Sequence, residues 1–271
     1  MTTATDHIDY GYGPTNGPHT WCITCRTAAG THQSPINIIT HNCHFDPTLT
    51  PFKVFVSHHG HQILSRKQHN FQVSFKTDRP TYVEGGPLKN KYNLLQLHFH
   101  WGCYDEWGSE HHIDGHSYAG ELHLVFMNEK YANINQAFND PEGLCVIGIF
   151  LKPSVEGCSA MAPMMAAMKS SKPGCETSVK GEIDINGLIP NNSRYFTYEG
   201  SLTTPPCVEC VRWIVCAKPL RLSKDQLAAL RSMHCCETCY TNENFRPPVP
   251  VGDRVVVCSF PQSIRPQKCD T

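Results

Sequence analysis

The segment Leu94–Trp101, with the sequence LLQLHFHW, constrains the fold more than any other part of this chain. Successive side chains of a β-strand point to opposite faces of a sheet, so residues two apart share a face. Applied to this segment, that period predicts one apolar face and one polar face. The apolar face holds Leu95, Leu97, Phe99 and Trp101, and the polar face holds Gln96, His98 and His100. We therefore expect a core strand that carries two imidazoles on its polar face.

A second segment, Glu121–Phe126, repeats this arrangement with the sequence ELHLVF. The same period places Leu122, Leu124 and Phe126 on one face and Glu121, His123 and Val125 on the other. If the two strands are neighbours, three imidazoles converge with a carboxylate and a carboxamide beside them.

Three neutral histidines with one open position form a common catalytic zinc site, in which the fourth ligand is water with a pKa of about 7. This chemistry predicts His98, His100 and His123 as zinc ligands. Gln96 and Glu121 are placed to accept the other ring N–H groups of the ligands, which fixes their tautomer and orientation. The alternative is that these histidines only satisfy hydrogen bonds in the core, and the spacing leaves both interpretations open.

The segment GSLTTPP, Gly200–Pro206, offers hydroxyl groups that suit the same chemistry. The hydroxyl of Thr203 can accept a hydrogen bond from a zinc-bound hydroxide, provided that it donates its own proton to a buried carboxylate. It would then admit only a ligand that has a proton to give. The alternative is a rigid turn in which proline fixes φ and the hydroxyls cap backbone groups. Taken alone, the segment favours the turn.

Composition excludes several classes of partner. The 271 residues include 23 basic and 24 acidic side chains, so the chain has no electrostatic footprint for nucleic acid or an anionic membrane surface. A small-molecule substrate is favoured. The longest apolar run, Leu144–Leu151, is too short to span a bilayer. Residues 1–13 lack an apolar central region, which predicts neither a signal peptide nor a membrane anchor.

Cysteine usage bears on the compartment. The chain contains 15 cysteines, an odd number that leaves at least one thiol unpaired within a monomer. Without a secretory signal we expect a cytoplasmic location, where most thiols stay reduced. The alternative is secretion after the loss of a leader.

No repeat, charge block or low-complexity linker marks a domain boundary, so we expect a single domain. The 19 glycines and 20 prolines separate short apolar or alternating runs, which predicts a sheet-dominated protein with long loops. The predicted strands are Phe52–Val56, Leu94–Trp101, Glu121–Phe126, Cys145–Leu151 and Val211–Cys216. Helical patterns cover Ser159–Ser170 and Ser223–His234, the second with Ser223 as N-cap. Residues 1–35 are expected to form an irregular segment across the surface.

Seven motifs resemble, in the same order, those of the alpha-class carbonic anhydrases, and the resemblance covers nearly the whole chain. They are YGYGPTNGP (Tyr10–Pro18), QSPINI (Gln33–Ile38), QLHFHWG (Gln96–Gly102), GSEHHIDG (Gly108–Gly115), AGELHLVF (Ala119–Phe126), GSLTTPPCVECVRWIV (Gly200–Val215) and NFRPPVP (Asn244–Pro250). The resemblance implies one α+β catalytic domain over residues 1–271, with a large, twisted, mostly antiparallel central sheet and a few peripheral helices. It also implies reversible hydration of carbon dioxide to bicarbonate and a proton by a zinc-bound hydroxide.

The resemblance implies a role for each matching catalytic residue. His98, His100 and His123 would bind one zinc ion, and Glu110 would accept the hydrogen bond from Thr203. His69 would carry the proton to buffer, a task that suits an imidazole titrating near neutral pH. Anions and sulfonamide-type inhibitors would bind at the zinc of a monomeric enzyme.

The same resemblance implies which residues surround the metal and the substrate. Gln96 and Glu121 would orient ligand rings, and Asn244 would offer its backbone carbonyl to the remaining ligand ring. Thr204 would hydrogen-bond bicarbonate. Carbon dioxide would lie against an apolar wall formed by Val125, Val146, Leu202, Val211 and Trp213. His111 matches a structural position near Tyr198 and is not predicted as a ligand.

The chain departs from the family pattern at the pocket rim and in its cysteines. Lys67 and Gln72 stand where many members have shorter polar residues. Three pairs, Cys22 with Cys25, Cys207 with Cys210 and Cys236 with Cys239, have the spacing of zinc or redox motifs, so a structural site with four thiolates is an alternative. Secreted members join an N-terminal cysteine to one after TTPP, which makes a Cys25–Cys207 disulfide a hypothesis.

Two rival functions come from other classes. One is a binding module of the same fold without catalysis, which the three retained histidines argue against. The other is hydrolysis of esters, because a zinc hydroxide attacks carbonyls generally, and we expect it only as a side activity.

Overall fold

A computed structural model describes residues 10–57, 60–233 and 243–262. Its strands, in chain order, are β1 Asn37–Ile38, β2 His44–Phe45, β3 Phe52–Phe55, β4 His61–Arg66, β5 Phe71–Lys76, β6 Tyr82–Gly85, β7 Tyr92–Trp101, β8 His112–Ile113, β9 Gly120–Asn128, β10 Leu144–Pro153, β11 Glu176–Ser178, β12 Tyr195–Gly200, β13 Val211–Cys216, β14 Leu220–Leu222 and β15 Val257–Cys258. The α-helices are α1 Trp21–Thr24, α2 Ile134–Ala137, α3 Ala162–Ser170 and α4 Lys224–Ser232.

Thirteen of the strands form one large mixed sheet in the order β11-β4-β5-β7-β9-β10-β13-β12-β15-β2, with β3, β6 and β14 attached beside this path. Most neighbours pair antiparallel, but β10 pairs parallel with β13 and β14, and β15 pairs parallel with β2. A separate small sheet joins β1 and β8 in parallel. The prediction of a sheet-dominated fold is confirmed, and the sheet is mixed.

The central strands β7 and β9 separate two apolar clusters. On one face, Leu97 and Phe99 of β7 pack with Leu122 and Leu124 of β9 in the larger cluster, which α3 and α4 cover. On the other face, Val125 of β9 packs with residues of β10 and β13 in a second cluster. The alternation of side chains therefore divides each strand between a helix-covered core and the face that carries the histidines.

A β-bulge corrects the predicted faces of β7. Leu94 pairs with Phe126, but the next regular pair joins Gln96 to Val125, so Leu95 is an extra residue. A bulge shifts the alternation by one residue. As a result Leu94, rather than Leu95, belongs to the core with Leu97, and Leu95 lines the cavity beside His98. The period of two predicted the faces from Gln96 onward correctly and failed at this residue.

The other predicted elements agree with the structure at their centres. Each of the five predicted strands overlaps a strand of the sheet, and Val211–Cys216 agrees at both ends. Ser223 caps α4 through a capping box with Gln226, because each side chain bonds the other's backbone N–H. His234, the predicted end of that helix, lies outside the described residues.

Within residues 10–35, the structure contains only short helical turns, including α1 and a 3-10 turn at Arg26–Ala29. Arg246 joins this segment to the rest of the protein by donating to Gln33 Oε1 and Ser34 O, both at 2.9 Å. Residues 1–9 lie outside the described part of the chain. The single domain over residues 1–271 stays a prediction.

Cys25 and Cys207 are both buried, lie in the same small cluster with Trp21, and are free thiols in this structure. The Cys25 thiol donates to the carbonyl of Pro206 at 3.3 Å. The two residues belong to the same buried cluster, and the disulfide between them stays a prediction. Among the described residues, no group able to hold a metal contains a cysteine, and Cys236 and Cys239 lie outside them.

No helix in the described part of the chain has the length and apolar character needed to cross a bilayer.

Candidate active site

The three predicted ligand histidines meet at one point of the sheet. In the antiparallel pairing of β7 and β9, His98 stands directly opposite His123, and His100 follows on the same face as His98. The Nε2 atoms of His98 and His100 lie 3.1 Å apart, and Nδ1 of His123 lies 3.3 Å from Nε2 of His98. Three ring nitrogens on two rigid core strands therefore point at a common centre.

Each of these rings is held at its other nitrogen by an oxygen acceptor. His98 Nδ1 lies 2.9 Å from Gln96 Oε1, His100 Nδ1 lies 2.7 Å from the backbone carbonyl of Asn244, and His123 Nε2 lies 2.9 Å from Glu121 Oε1. An oxygen acceptor at one nitrogen requires the proton there, which leaves the facing nitrogen with a lone pair. These partners fix the tautomer that a metal ligand needs.

The environment also favours the neutral form of all three rings. Burial, with the neighbouring imidazoles, lowers the pKa of His98 well below its ordinary value, and burial lowers the pKa of His100 to about 3. The pKa of His123 is lowered by burial as well, although Glu121 acts in the opposite direction. Neutral imidazole is the form that binds metals.

The spacing of the three nitrogens fits zinc. Nitrogens bound to one tetrahedral zinc at ordinary bond lengths lie about 3.3 Å from one another. The observed separations of 3.1 and 3.3 Å agree with that distance. Three neutral nitrogen donors with oriented outer nitrogens form a donor set that would suit Zn²⁺, and two of the donors, His98 and His123, line the cavity.

Glu121 also hydrogen-bonds a second histidine, His111. Its Oε1 lies 2.7 Å from His111 Nδ1, and His111 Nε2 lies 2.6 Å from the hydroxyl of Tyr198. Burial alone would raise the pKa of Glu121, but His111 and His123 hold it well below its ordinary value. His111, Glu121 and His123 lie close enough to form a metal-binding group. Both ring nitrogens of His111 already have hydrogen-bond partners, which supports a structural role for His111, and that role stays a prediction.

Glu110 lies next to the three histidines and is completely buried. Its Oε1 accepts the backbone N–H of Arg246 at 2.8 Å, and its Oε2 lies 3.3 Å from His100 Nε2. Burial raises the pKa of Glu110 well above its ordinary value, and nearby Thr203 and Arg246 oppose that shift. Among the described residues, Oε2 has no hydrogen-bond partner of standard geometry, and Thr203 lies near enough to lower the pKa of this carboxyl.

The segment that carries Thr203 is a turn and also a wall of the site. The amide of Cys207 donates to the carbonyl of Thr204 at 2.9 Å across a cis Pro205–Pro206 bond. Thr203 and Thr204 both line the cavity in front of the histidines. The turn interpretation and the functional interpretation of this segment are therefore compatible.

The cavity has a volume of about 190 Å³ and is apolar on one side. Polar residues on its wall are Gln96, His98, His123, Thr203 and Thr204, and its apolar wall is formed by Leu95, Val125, Ile134, Leu144, Val146, Leu202 and Trp213. Val211, predicted for this wall, belongs to the same apolar cluster as the wall residues and does not line the cavity.

His69 lies in the turn between β4 and β5, where the amide of Lys67 donates to the carbonyl of Asn70 at 2.7 Å. Its ring packs against two tyrosines, with centroids 5.2 Å from Tyr10 and 5.8 Å from Tyr12. Burial raises the pKa of Tyr10, and a hydrogen bond with the side chain of Thr204 opposes this shift. Tyr10 therefore contacts both the predicted shuttle and the predicted bicarbonate residue.

The family model for eukaryotic-type carbonic anhydrase matches residues 16–260. This chain belongs to that family. Carbonic anhydrase 7 of Mus musculus is 39% identical over 273 residues, which cover 94% of this chain and 99% of the relative. Carbonic anhydrase 3 of Rattus norvegicus and of Homo sapiens are each 38% identical over 260 residues, covering 93% of this chain and 98% of the relative.

As a carbonic anhydrase, the protein is an enzyme, and its family supports hydration of carbon dioxide. Sequence reasoning missed Leu95, Ile134 and Leu144 on the cavity wall. Leu95 enters the wall only through the bulge, and Ile134 only through the placement of α2. Leu144 was visible as the residue two before Val146 on β10, a spacing that puts both on one face.

Proposed function

We propose that this carbonic anhydrase interconverts carbon dioxide and bicarbonate with one zinc ion held by His98, His100 and His123. The observation that carries the proposal is that His98 Nε2 lies 3.1 Å from His100 Nε2 and 3.3 Å from His123 Nδ1, while the other nitrogen of each ring hydrogen-bonds to an oxygen. When bound, zinc supplies a Lewis acid that makes water a nucleophile near neutral pH.

Thr203 and Glu110 would control which ligands enter. The Glu110 carboxylate is buried, and one of its oxygens is still available to accept a hydrogen bond. If Thr203 donates its proton to that oxygen, its hydroxyl can only accept from the incoming ligand. Water fulfils this requirement and an anion without a proton does not, so the pair selects the nucleophile and orients its lone pair.

The division of the cavity suits the reaction. Carbon dioxide is apolar and would lie against Val125, Val146, Leu202 and Trp213, where burial favours an apolar solute. Bicarbonate is an anion, and Thr204 on the polar side offers it a hydrogen bond. The product is therefore favoured in the part of the cavity from which it leaves.

His69 would export the proton that hydration releases. Its imidazole lies in the turn between β4 and β5, packed beside Tyr10 and Tyr12. An imidazole with a pKa near neutrality both takes and releases a proton easily, which suits transfer to buffer in every cycle.

Cytoplasmic location and a monomeric state belong to the same proposal, as does binding of anions and sulfonamide-type inhibitors at the metal. Peptide mapping with and without reduction tests the location, because a Cys25–Cys207 disulfide in the native protein would indicate an oxidising compartment.

Stopped-flow hydration of carbon dioxide tests the function on the purified protein with zinc measured in parallel. We expect activity in wild type with one zinc per chain, and loss of both zinc and activity in His98→Ala. His116→Ala, in an exposed loop position, is the matched control and should retain both. An inactive wild type that holds stoichiometric zinc would instead favour the non-catalytic binding module, and ester hydrolysis faster than hydration would favour the hydrolase.

A further inference from the structure

We propose that the side chain of Asn244 is a positioning residue for proton transfer, because it ties the turn that carries His69 to the strand that carries His98 and His100. This inference rests on the proposed shuttle role of His69. It concerns the carboxamide of Asn244, whereas the interaction with the His100 ring uses the backbone carbonyl.

The carboxamide of Asn244 is used entirely on backbone groups. Oδ1 accepts the N–H of Trp101 at 2.7 Å, and Nδ2 donates to the carbonyls of Phe99 at 3.1 Å and His69 at 3.0 Å. A carboxamide has two N–H donors and one carbonyl oxygen, and all of these groups are occupied here. Asn244 is 3% exposed, so water cannot easily replace a lost bond.

The bond to His69 reaches a part of the chain that no regular sheet bond holds. β5 pairs with β7 only from Gln72 to Ser74, and β4 pairs with β5 as far as the Arg66–Phe71 pair. His69 lies beyond that pair, in the turn closed by Lys67 and Asn70. Nδ2 of Asn244 therefore extends the attachment of the β4–β5 hairpin to β7 past the end of the ladder.

Asn244 is also attached to the ligand strand through its own backbone. Its carbonyl accepts from His100 Nδ1 at 2.7 Å, and its N–H donates to the carbonyl of Trp101 at 3.3 Å. One residue thus contacts the ring of a predicted ligand and the backbone of the predicted shuttle. The distance that the proton must cover is set in part by this residue, and proton transfer is sensitive to displacements of about 1 Å.

A merely structural role for Asn244 predicts a different result from a positioning role. Loss of a structural bond would lower stability and would lower kcat and kcat/KM together. Loss of shuttle positioning would slow proton export, which limits kcat, so kcat would fall more than kcat/KM. This effect would require His69 and would be absent without it.

The test is a double-mutant cycle on the zinc-loaded enzyme. Hydration is measured in a weak buffer, which accepts protons poorly, and in an imidazole buffer, which accepts them well. The variants are Asn244→Ala, Asn244→Asp, His69→Ala and the two doubles. Asn244→Asp keeps the acceptor for the Trp101 N–H and the carbonyl for His100, but it removes both Nδ2 donors. We expect each Asn244 variant to lower kcat about tenfold in weak buffer and kcat/KM by a smaller factor, with recovery in imidazole. In the His69→Ala background, the same changes should lower kcat by less than about twofold.

Hydrogen exchange gives a readout that does not depend on activity. We expect the amides of residues 67–70 to exchange faster in both Asn244 variants than in wild type. Asn128→Ala is the matched control, because Asn128 is also fully buried and its Nδ2 donates to a backbone carbonyl, that of Glu142, at 3.3 Å. That variant should leave exchange in the turn at the wild-type rate.

The outcomes separate the inference from the function on which it rests. The positioning role would be overturned if Asn244→Ala lowered kcat equally with and without His69. It would also be overturned if the amides of residues 67–70 exchanged at the wild-type rate in the Asn244 variants. Either result would leave the shuttle role of His69 intact. An unchanged kcat in His69→Ala would remove the shuttle itself, and with it this role for Asn244.

Discussion

Gly148 leaves open the space that the carboxylate of Glu121 occupies. Gly148 lies opposite His123 in the pairing of β10 with β9, and a β-carbon on Gly148 would lie 2.8 Å from Glu121 Oε1. The same Oε1 atom bonds His111 and His123. The absence of a side chain at one position thus permits the orientation of a predicted ligand at another.

Gly148→Ala should therefore weaken zinc binding. The new methyl group would displace the Glu121 carboxylate and release the outer nitrogen of His123, and loss of such a partner costs about 10- to 100-fold in metal affinity. Competition with a chromophoric chelator measures the change. In a Glu121→Ala background the added methyl group should have little further effect, and an equal loss in both backgrounds would contradict this explanation.

Thr203→Ala should abolish selection between ligands with and without a proton. Removing Thr203 leaves a buried acceptor of Glu110 unsatisfied, which costs about 1–3 kcal/mol, so kcat/KM for hydration should fall by about one to two orders of magnitude. Inhibition by azide and thiocyanate, which carry no proton, should strengthen relative to wild type. Thr204→Ala serves as the comparison, because it should raise the KM for bicarbonate without changing this preference. Equal inhibition constants for these anions in wild type and Thr203→Ala would exclude a role for Thr203 in selecting ligands.

Lys67 brings a positive charge close to the ligand strand. Gln72 pairs with His98 across β5 and β7, and Gln72 Oε1 accepts from Lys67 Nζ at 3.0 Å. Burial is the largest cause of the low pKa of His98, and the charge of Lys67 contributes to it.

Lys67→Gln should raise the KM for bicarbonate by about two- to threefold at low ionic strength, because an exposed cation attracts the anion over roughly a Debye length. The difference from wild type should disappear as salt is added. Lys218→Gln, which removes another exposed charge, on the loop after β13, is the control. A salt-independent change in Lys67→Gln would point to the lost hydrogen bond with Gln72 rather than to charge.

Asp140 should contribute stability that depends on pH. Hydrogen bonds from Lys130, Tyr131 and the amide of Glu142 lower the pKa of Asp140 to about 2. Because its folded pKa lies below its unfolded value of 3.8, the contribution is present above about pH 4 and is lost as the pH falls towards 2. Asp140→Asn should therefore reduce the free energy of unfolding only on the neutral side, by about 1 kcal/mol for this partly exposed group. Urea unfolding from pH 2 to pH 7 checks this, and a constant difference across that range would contradict it.

The ligand face was predictable because strand alternation is a strong local rule. His98 and His100 lie on one face of β7 because residues two apart share a face, and His123 joins them because β9 pairs with β7. The family motifs gave Glu110, Thr203 and the carbonyl of Asn244, and the structure places all three beside the histidines.

The contacts that escaped prediction depend on chain segments far apart in sequence. The carboxamide of Asn244 reaches His69 across 175 residues, and Tyr10 packs on the same histidine from the N-terminal segment. Both residues begin family motifs, but neither lies in a strand or helix pattern that would predict which distant residue its side chain contacts. Gly148 likewise reads as a small residue within an apolar run, and only the packed sheet shows what fills its space.

The bulge at Leu95 is an insertion that the sheet tolerates. If Leu95 were deleted, Leu94 opposite Phe126 and Gln96 opposite Val125 would become consecutive pairs of an uninterrupted ladder, and both histidines would keep their partners. The extra residue therefore adds one side chain to the cavity wall without moving the metal-binding half of the strand. Deletion of Leu95 is thus expected to change the wall of the cavity by one side chain and to leave His98 and His100 opposite their partners on β9.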